Sequence, residues 1–414
     1  MESAWTTADI TVSTDADQTP IAPGTKVSDT VANGRRTARF VADTPILGFF
    51  SVQSARYAEK HRAHGGIDLA VYYHPAHAFN VDRMLNALGG AMDYYQSGFG
   101  PYPPKQARII EFPAYATFAQ AFSGTMPYSE AIGFVADARN PDKIDYVTYI
   151  TAHELGHQWW AHQLIGAEMQ GGTMLSETLA QYSALMVMKR LYGEDKIRRF
   201  LKYELDTYLR NRGAERLEEL PLMRVEDQPY IHYNKGSLVM YLLQERIGEE
   251  AVNRALRTML AKYRFKGAPY PRSLELVDLF RKEAKTPEDQ ALITDLFERI
   301  TLYDMKVMEP KAVRRADGKW DVTVPVEAHK FYATGKGLQK EAPLADAIPI
   351  GLFTAEPGRG AFDRRNVLLM ARQPVRSGRQ VFHFVTDAKP THAGVDPYNF
   401  YIDRNSDDNL GTVS

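Results

Sequence analysis

The chain has 414 residues, enough for two or three domains and a large buried core. Its 51 acidic and 50 basic residues leave a net charge of −1, which excludes broad electrostatic attraction to nucleic acid or an anionic membrane. It has no cysteine, so disulfides and thiolate metal ligands are excluded, and no apolar run approaches the roughly 18 residues of a membrane span. Met1-Glu2-Ser3 lacks the basic start and apolar stretch of a signal peptide.

Residues 1–80 read as short strands separated by turn residues, at 10–12, 37–40, 49–53 and 69–73. The stretch 81–309 is mainly helical. Before its central motif, Arg108-Ile109-Ile110-Glu111-Phe112 and the segment from Gly124 to Phe134 suggest a small sheet. Asn140-Pro141 then reads as an N-cap with proline in the first turn. Ile144, Val147, Ile150 and Leu155 recur at helical spacing into His153-Glu154-Leu155-Gly156-His157.

Residues four apart lie about 40° from each other around a helix, so His153 and His157 can grip one metal ion together. Glu154 lies about 100° from His153, beside the metal, where a general base is needed. A zinc site requires a third protein ligand and leaves its fourth position to water. His162 falls about 180° round the same helix and points away, as a surface or packing histidine. The metzincin pattern needs glycine and histidine where Trp160 and Gln163 stand. Glu168 sits in a polar, glycine-bearing loop. Glu177 opens a second helix, with Leu175, Leu179, Tyr182, Leu185, Met186 and Leu191 on its apolar face and Gly193 as its cap. Two antiparallel helices joined by a short loop can bring that carboxylate against the histidines, so Glu177 is the expected third ligand.

Further helical faces follow, at Ile197, Phe200, Leu201, Leu205 and Tyr208, and at Val252, Leu256, Met259, Leu260 and Tyr263. Between them, Tyr233-Asn234-Lys235-Gly236 opens an amphipathic helix that ends at Gly248. Thr286-Pro287-Glu288-Asp289 starts the last helix, with threonine as N-cap. From 310 onward strands return. Asp317-Gly318 makes a hairpin turn before Trp320, and runs at 348–353, 367–370 and 381–385 predict a small β-sandwich.

The zinc motif followed by Ser176-Glu177-Thr178-Leu179-Ala180-Gln181-Tyr182, with Gln158-Trp159-Trp160 after the second histidine, resembles the gluzincin aminopeptidases. That family includes the alanyl (membrane) aminopeptidases and leukotriene hydrolase. Nineteen residues separate His157 from Glu177 where the family usually has eighteen, and the glycine-bearing loop can absorb the extra one. Tyr233-Asn234-Lys235-Gly236 is similar to the family's Y-E-K-G, whose tyrosine hydroxyl faces the substrate carbonyl. The segment from Gly124 to Phe134 matches its G-A-M-E-N signature in part: aligned on Gly133, Glu130 falls where the family glutamate binds the substrate's free amino group.

The resemblance implies an α+β fold, with a thermolysin-like, mainly helical zinc domain over 81–309, a partial N-terminal β domain over 1–80, and a C-terminal β-sandwich over 310–414. It implies one Zn2+ ion on His153, His157 and Glu177, with Glu154 as base, Tyr233 at the oxyanion, and peptides with a free amino terminus as substrates. The family's amino-terminal β domain is far longer than eighty residues, so the chain reads as a piece of something larger or a shortened member. The wording from Ala161 to Glu177 also resembles the peptidase-like domain fused to some bacterial ABC-type transporter permeases. That likeness implies a membrane-attached protein of which this is the soluble, extracytoplasmic part. Two rival readings stay open: another zinc hydrolase, endopeptidase or epoxide hydrolase, and a non-catalytic module that binds a peptide or transporter partner. Retention of Glu154 argues against the second, since binding alone needs no general base.

Overall fold

The computed structural model describes residues 4–140 and 142–414. Met1-Glu2-Ser3 and Pro141 lie outside the described residues. The chain divides into two units, Met1–Val187 with Asn253–Leu276, and Met188–Val252 with Val277–Ser414.

In the first unit, strands Asp9–Asp15, Arg35–Val41 and Thr25–Ala32 form a three-stranded antiparallel sheet with the second at its centre. One of its faces carries Ala38 and Phe40 against Ala22. The expected strand at 49–53 is reduced to Gln53–Ala55. Phe49 instead packs its ring against Phe122, with centroids 4.8 Å apart.

Gly65 and Gly66, both at positive φ, turn a hairpin between Ala58–His64 and Ile67–Tyr73. Gln106–Phe112 and then Thr125–Ser129 add to it in parallel, giving a four-stranded sheet whose edge is Thr125–Ser129. This sheet takes strands from both sides of residue 80. Every residue of Gln106–Phe112 is buried, as a central parallel strand requires. Helix α1, Val81–Phe99, makes the crossover between the parallel strands and buries Met84, Leu85, Leu88, Ala91, Met92, Tyr95 and Phe99.

The zinc-motif helix, α2, spans Tyr146–Gly156, and it starts later than Asn140-Pro141 suggested. Asp145 is its N-cap: one carboxylate oxygen accepts from Thr148 N at 3.1 Å, while the other accepts from Arg83 Nη1 at 2.5 Å. Asn140 spends its side chain locally, accepting from Asp142 N at 2.9 Å, so it caps a turn and no helix. Helix α3, Glu177–Tyr192, is followed by Gly193 at φ 90°.

The remaining helices are α4 (Ile197–Ala214), α5 (Gly236–Ile247), α6 (Glu249–Tyr263), α7 (Ser273–Glu283) and α8 (Pro287–Ile293). Thr286 caps α8 as expected, accepting from Asp289 N. The second unit holds two antiparallel sheets. In one, the long strand Trp320–Ala333 pairs with Ile300–Val307, Lys311–Arg314, Gln339–Ala342 and Gly378–Thr386. Along it Val322, Val324, Val326 and Ala328 are buried at alternate positions. In the other, Ala345–Phe353 pairs with Val367–Arg376 and His392–Val395. The turn at Asp317-Gly318 closes through Arg315 N to Lys319 O at 2.8 Å, with Gly318 at φ 86°. The fold is α+β. Among the described residues no helix is long and apolar enough to cross a membrane.

Candidate active site

His153, Glu154 and His157 are buried at the end of α2. His157 N–H still bonds His153 O at 3.2 Å, which keeps the one-turn spacing although the helix stops there. The two Nε2 atoms lie 3.0 Å apart. Glu177, in the first turn of α3, places Oε2 at 3.1 Å from His157 Nε2 and 3.4 Å from His153 Nε2.

Gly156 explains how two helices come close enough for this. A Cβ at that position would stand 3.2 Å from Ala180 Cα and 3.4 Å from its carbonyl oxygen, so the missing side chain lets α3 lie directly on α2. Trp160 Nε1 donates to Ser183 Oγ at 3.0 Å and ties the segment after α2 to the next turn of α3. Tyr95 on α1 donates its hydroxyl to Ala152 O at 2.7 Å and so holds the other side of the zinc-motif helix.

The donors fit a divalent ion. His157 Nδ1 lies 3.0 Å from Trp160 O, which takes the proton at Nδ1 and turns Nε2 toward Glu177, the side from which an ion would be bound. Two buried imidazole nitrogens and the oxygen of a partly buried carboxylate converge here and form the N/O set that zinc takes. Glu154 has its carboxyl raised by burial, against the pull of His153 and His157. Burial also opposes the charge of Glu177, yet the two imidazoles hold its carboxyl well below the ordinary range. His157 is disfavoured as a cation by burial, but Glu177 outweighs this and lifts it to about 9.

His162 takes no part in this cluster. The helix has ended before it, and its Nε2 contacts Ala121 O at 3.0 Å while burial pushes it down to about 4. Glu168 is exposed in the loop before α3. Glu130 follows the edge strand and begins a π-helical turn, Glu130–Phe134, with Oε1 accepting from Ala114 N at 2.9 Å. Tyr233 belongs to the second unit, half-buried in a π-helical turn, Tyr230–Lys235, that runs into α5.

Three residues of the neighbourhood were given no individual role by the sequence reading. Gln158 grips the chain ahead of the Glu130 strand from both ends of its amide: Oε1 accepts from Gly124 N at 2.7 Å, and Nε2 donates to Phe122 O at 2.9 Å. Glu111 and His77 stand next to Glu130. The one available signal was Glu111 itself, a charge in an apolar strand, since a buried carboxylate has to find a partner.

Residues 83–290 match the peptidase family M1 domain. Human endoplasmic reticulum aminopeptidase 2 is 26% identical over 212 residues, which are 49% of this chain and 22% of that protein. The chain thus spans well under half the length of this curated relative. Among solved structures it is similar to a point mutant of an M1 zinc metallopeptidase from Deinococcus radiodurans bound to a Tyr-Ser-Ala substrate. That likeness has a TM-score of 0.55 at 19% identity over 72% of this chain and 64% of that one. Legionella pneumophila aminopeptidase A, in complex with aspartic acid, is similar over 95% of this chain and 44% of its own, with a TM-score of 0.62 at 15% identity. These likenesses speak for the fold, and the match over 83–290, which contains the histidine pair and Glu177, speaks for descent: the chain belongs to peptidase family M1.

Proposed function

We propose that the chain carries the catalytic centre of a zinc aminopeptidase, which removes residues one at a time from the free amino terminus of a peptide. The observation that carries this reading is the convergence of His153 Nε2, His157 Nε2 and Glu177 Oε2, with the carboxyl of Glu154 buried beside them. Membership of family M1 supports the same chemistry.

In this reading His153, His157 and Glu177 hold one Zn2+ ion. Bound there, zinc supplies a Lewis acid that polarises a carbonyl and lowers the pKa of a water molecule. Glu154 takes the proton of the attacking water and returns one to the departing amine; burial raises its carboxyl toward neutrality, where a group that must both accept and donate works best. Tyr233 donates its hydroxyl to the oxyanion that forms at the scissile carbonyl. Glu130 pairs with the substrate's ammonium and so selects the first peptide bond.

The test compares one peptide with a free and with an acetylated amino terminus. The free peptide is cleaved from its end, and acetylation lowers kcat/KM by at least about 100-fold, because Glu130 is left facing a neutral amide. Equal rates on both would replace this reading with an endopeptidase.

A further inference from the structure

Among the described residues, one further group of metal-ligating side chains converges: His77, Glu111 and Glu130. Three adjacent parallel strands, Ile67–Tyr73, Gln106–Phe112 and Thr125–Ser129, bring it together. His77 follows the end of the first, Glu111 lies at the end of the second, and Glu130 follows the third. The carboxyl ends of neighbouring parallel strands are where open sheets of this kind collect ligands.

The side chains are set for the task. Glu111 is buried, with Oε2 accepting from His74 N at 2.6 Å and Oε1 in close contact with His77 Nδ1. Glu130 gives Oε1 to Ala114 N at 2.9 Å and turns Oε2 toward the same Nδ1, at 3.7 Å. Each carboxylate therefore has one oxygen fixed by a backbone N–H and the other aimed at a shared point. Backbone donors in the outer shell orient metal-binding carboxylates in this way. Both acids pair with the same imidazole, so two negative charges face at most one positive charge, and a divalent cation would balance them.

We propose that His77 Nδ1, Glu111 Oε1 and Glu130 Oε2 form a second divalent-cation site, separate from the three zinc ligands. One imidazole and two carboxylates make a borderline donor set that suits Zn2+ and its first-row neighbours. Binding needs the lone pair of Nδ1, so any proton shared between His77 and Glu111 leaves as the ion enters. A regulatory consequence follows, and it rests on the aminopeptidase reading: the ion and the substrate's ammonium compete for Glu130, so excess metal inhibits by raising KM. The binding itself does not depend on that reading.

Calorimetric titration of the whole chain with Zn2+ tests the site. Two binding events are expected, of which His77→Ala and Glu111→Gln each weaken one by at least tenfold and leave the other in place. His157→Ala has the reverse effect. Melting curves recorded for each variant identify any that has lost its fold, and part-exposed His77 is the position whose change should disturb the fold less than that of buried Glu111. A single event in the wild type, or a second event unchanged in His77→Ala, overturns the proposal and leaves the catalytic reading standing. Two ions on a chain that cleaves no free-amine peptide uphold the site and remove the proposed function.

Discussion

Tyr233 and His162 are two side chains that the HExxH pattern alone does not interpret, and each makes a distinct demand. A phenol donor at the oxyanion acts only as charge develops, so Tyr233→Phe should lower kcat by about 10²–10³ with KM and zinc content little changed. Steady-state kinetics on an aminoacyl amide decide it, and an unaltered kcat removes the tyrosine from the mechanism. His162 is buried and neutral, held to about 4 against an ordinary 6.5. The unfolded chain protonates this imidazole near 6.5, while the folded chain resists until about 4. Stability from this group is therefore complete above 6.5 and is lost as pH falls toward 4, by about 3 kcal/mol in all. Denaturant unfolding at a series of pH values should show the loss in wild type and a shallower one in His162→Gln; parallel curves would contradict it. The sequence singled out His162 as a non-ligand on helical geometry. The structure reaches that outcome by another route, because the chain has left the helix before residue 162 and Ala121 O takes its Nε2.

At the scale of elements, the centre depends on how closely α3 lies on α2, and Gly156 sets that distance. Gly156→Val should push the helices apart, costing about 1–3 kcal/mol of stability and weakening zinc binding by at least about tenfold as Glu177 withdraws from the imidazoles. Gly156→Ala needs Ala180 to yield by only a few tenths of an ångström and should be mild. Zinc affinity by competition with a chelator separates the two, and equal affinities would show that the close approach does not matter. The two motif helices were legible because their apolar residues recur at helical spacing and because a histidine pair four apart has one geometric meaning. The start of α2 was not legible: Asn140-Pro141 has the form of a cap, but a cap is decided by which side chain reaches the orphan N–H groups, and Asp145 does so with Arg83 behind it. Gln158 was illegible for a similar reason, since its partners at Phe122 and Gly124 lie more than thirty residues away in sequence.

On the scale of the whole molecule, the proposed zinc ligands His153, His157 and Glu177, with Glu154 and Glu130, lie in one unit and Tyr233 in the other. Local patterns read along the chain cannot reveal such a division, because strands from both sides of residue 80 join one sheet and the segment Asn253–Leu276 returns to the first unit. What composition did establish, near-neutral charge and no cysteine, bounds the chemistry to nitrogen and oxygen ligands and leaves the rest to geometry. In the proposed mechanism a metal-bearing centre works through an unbound carboxylate beside it. The most direct measurement is therefore the zinc content and the turnover of an aminoacyl chromogenic amide by Glu154→Gln, taken on the same sample. One zinc per chain at the catalytic centre, with kcat lowered by about 10²–10⁴, is the predicted result. Full turnover in that variant, or a loss of activity that only follows loss of the metal, would rule out Glu154 as the base.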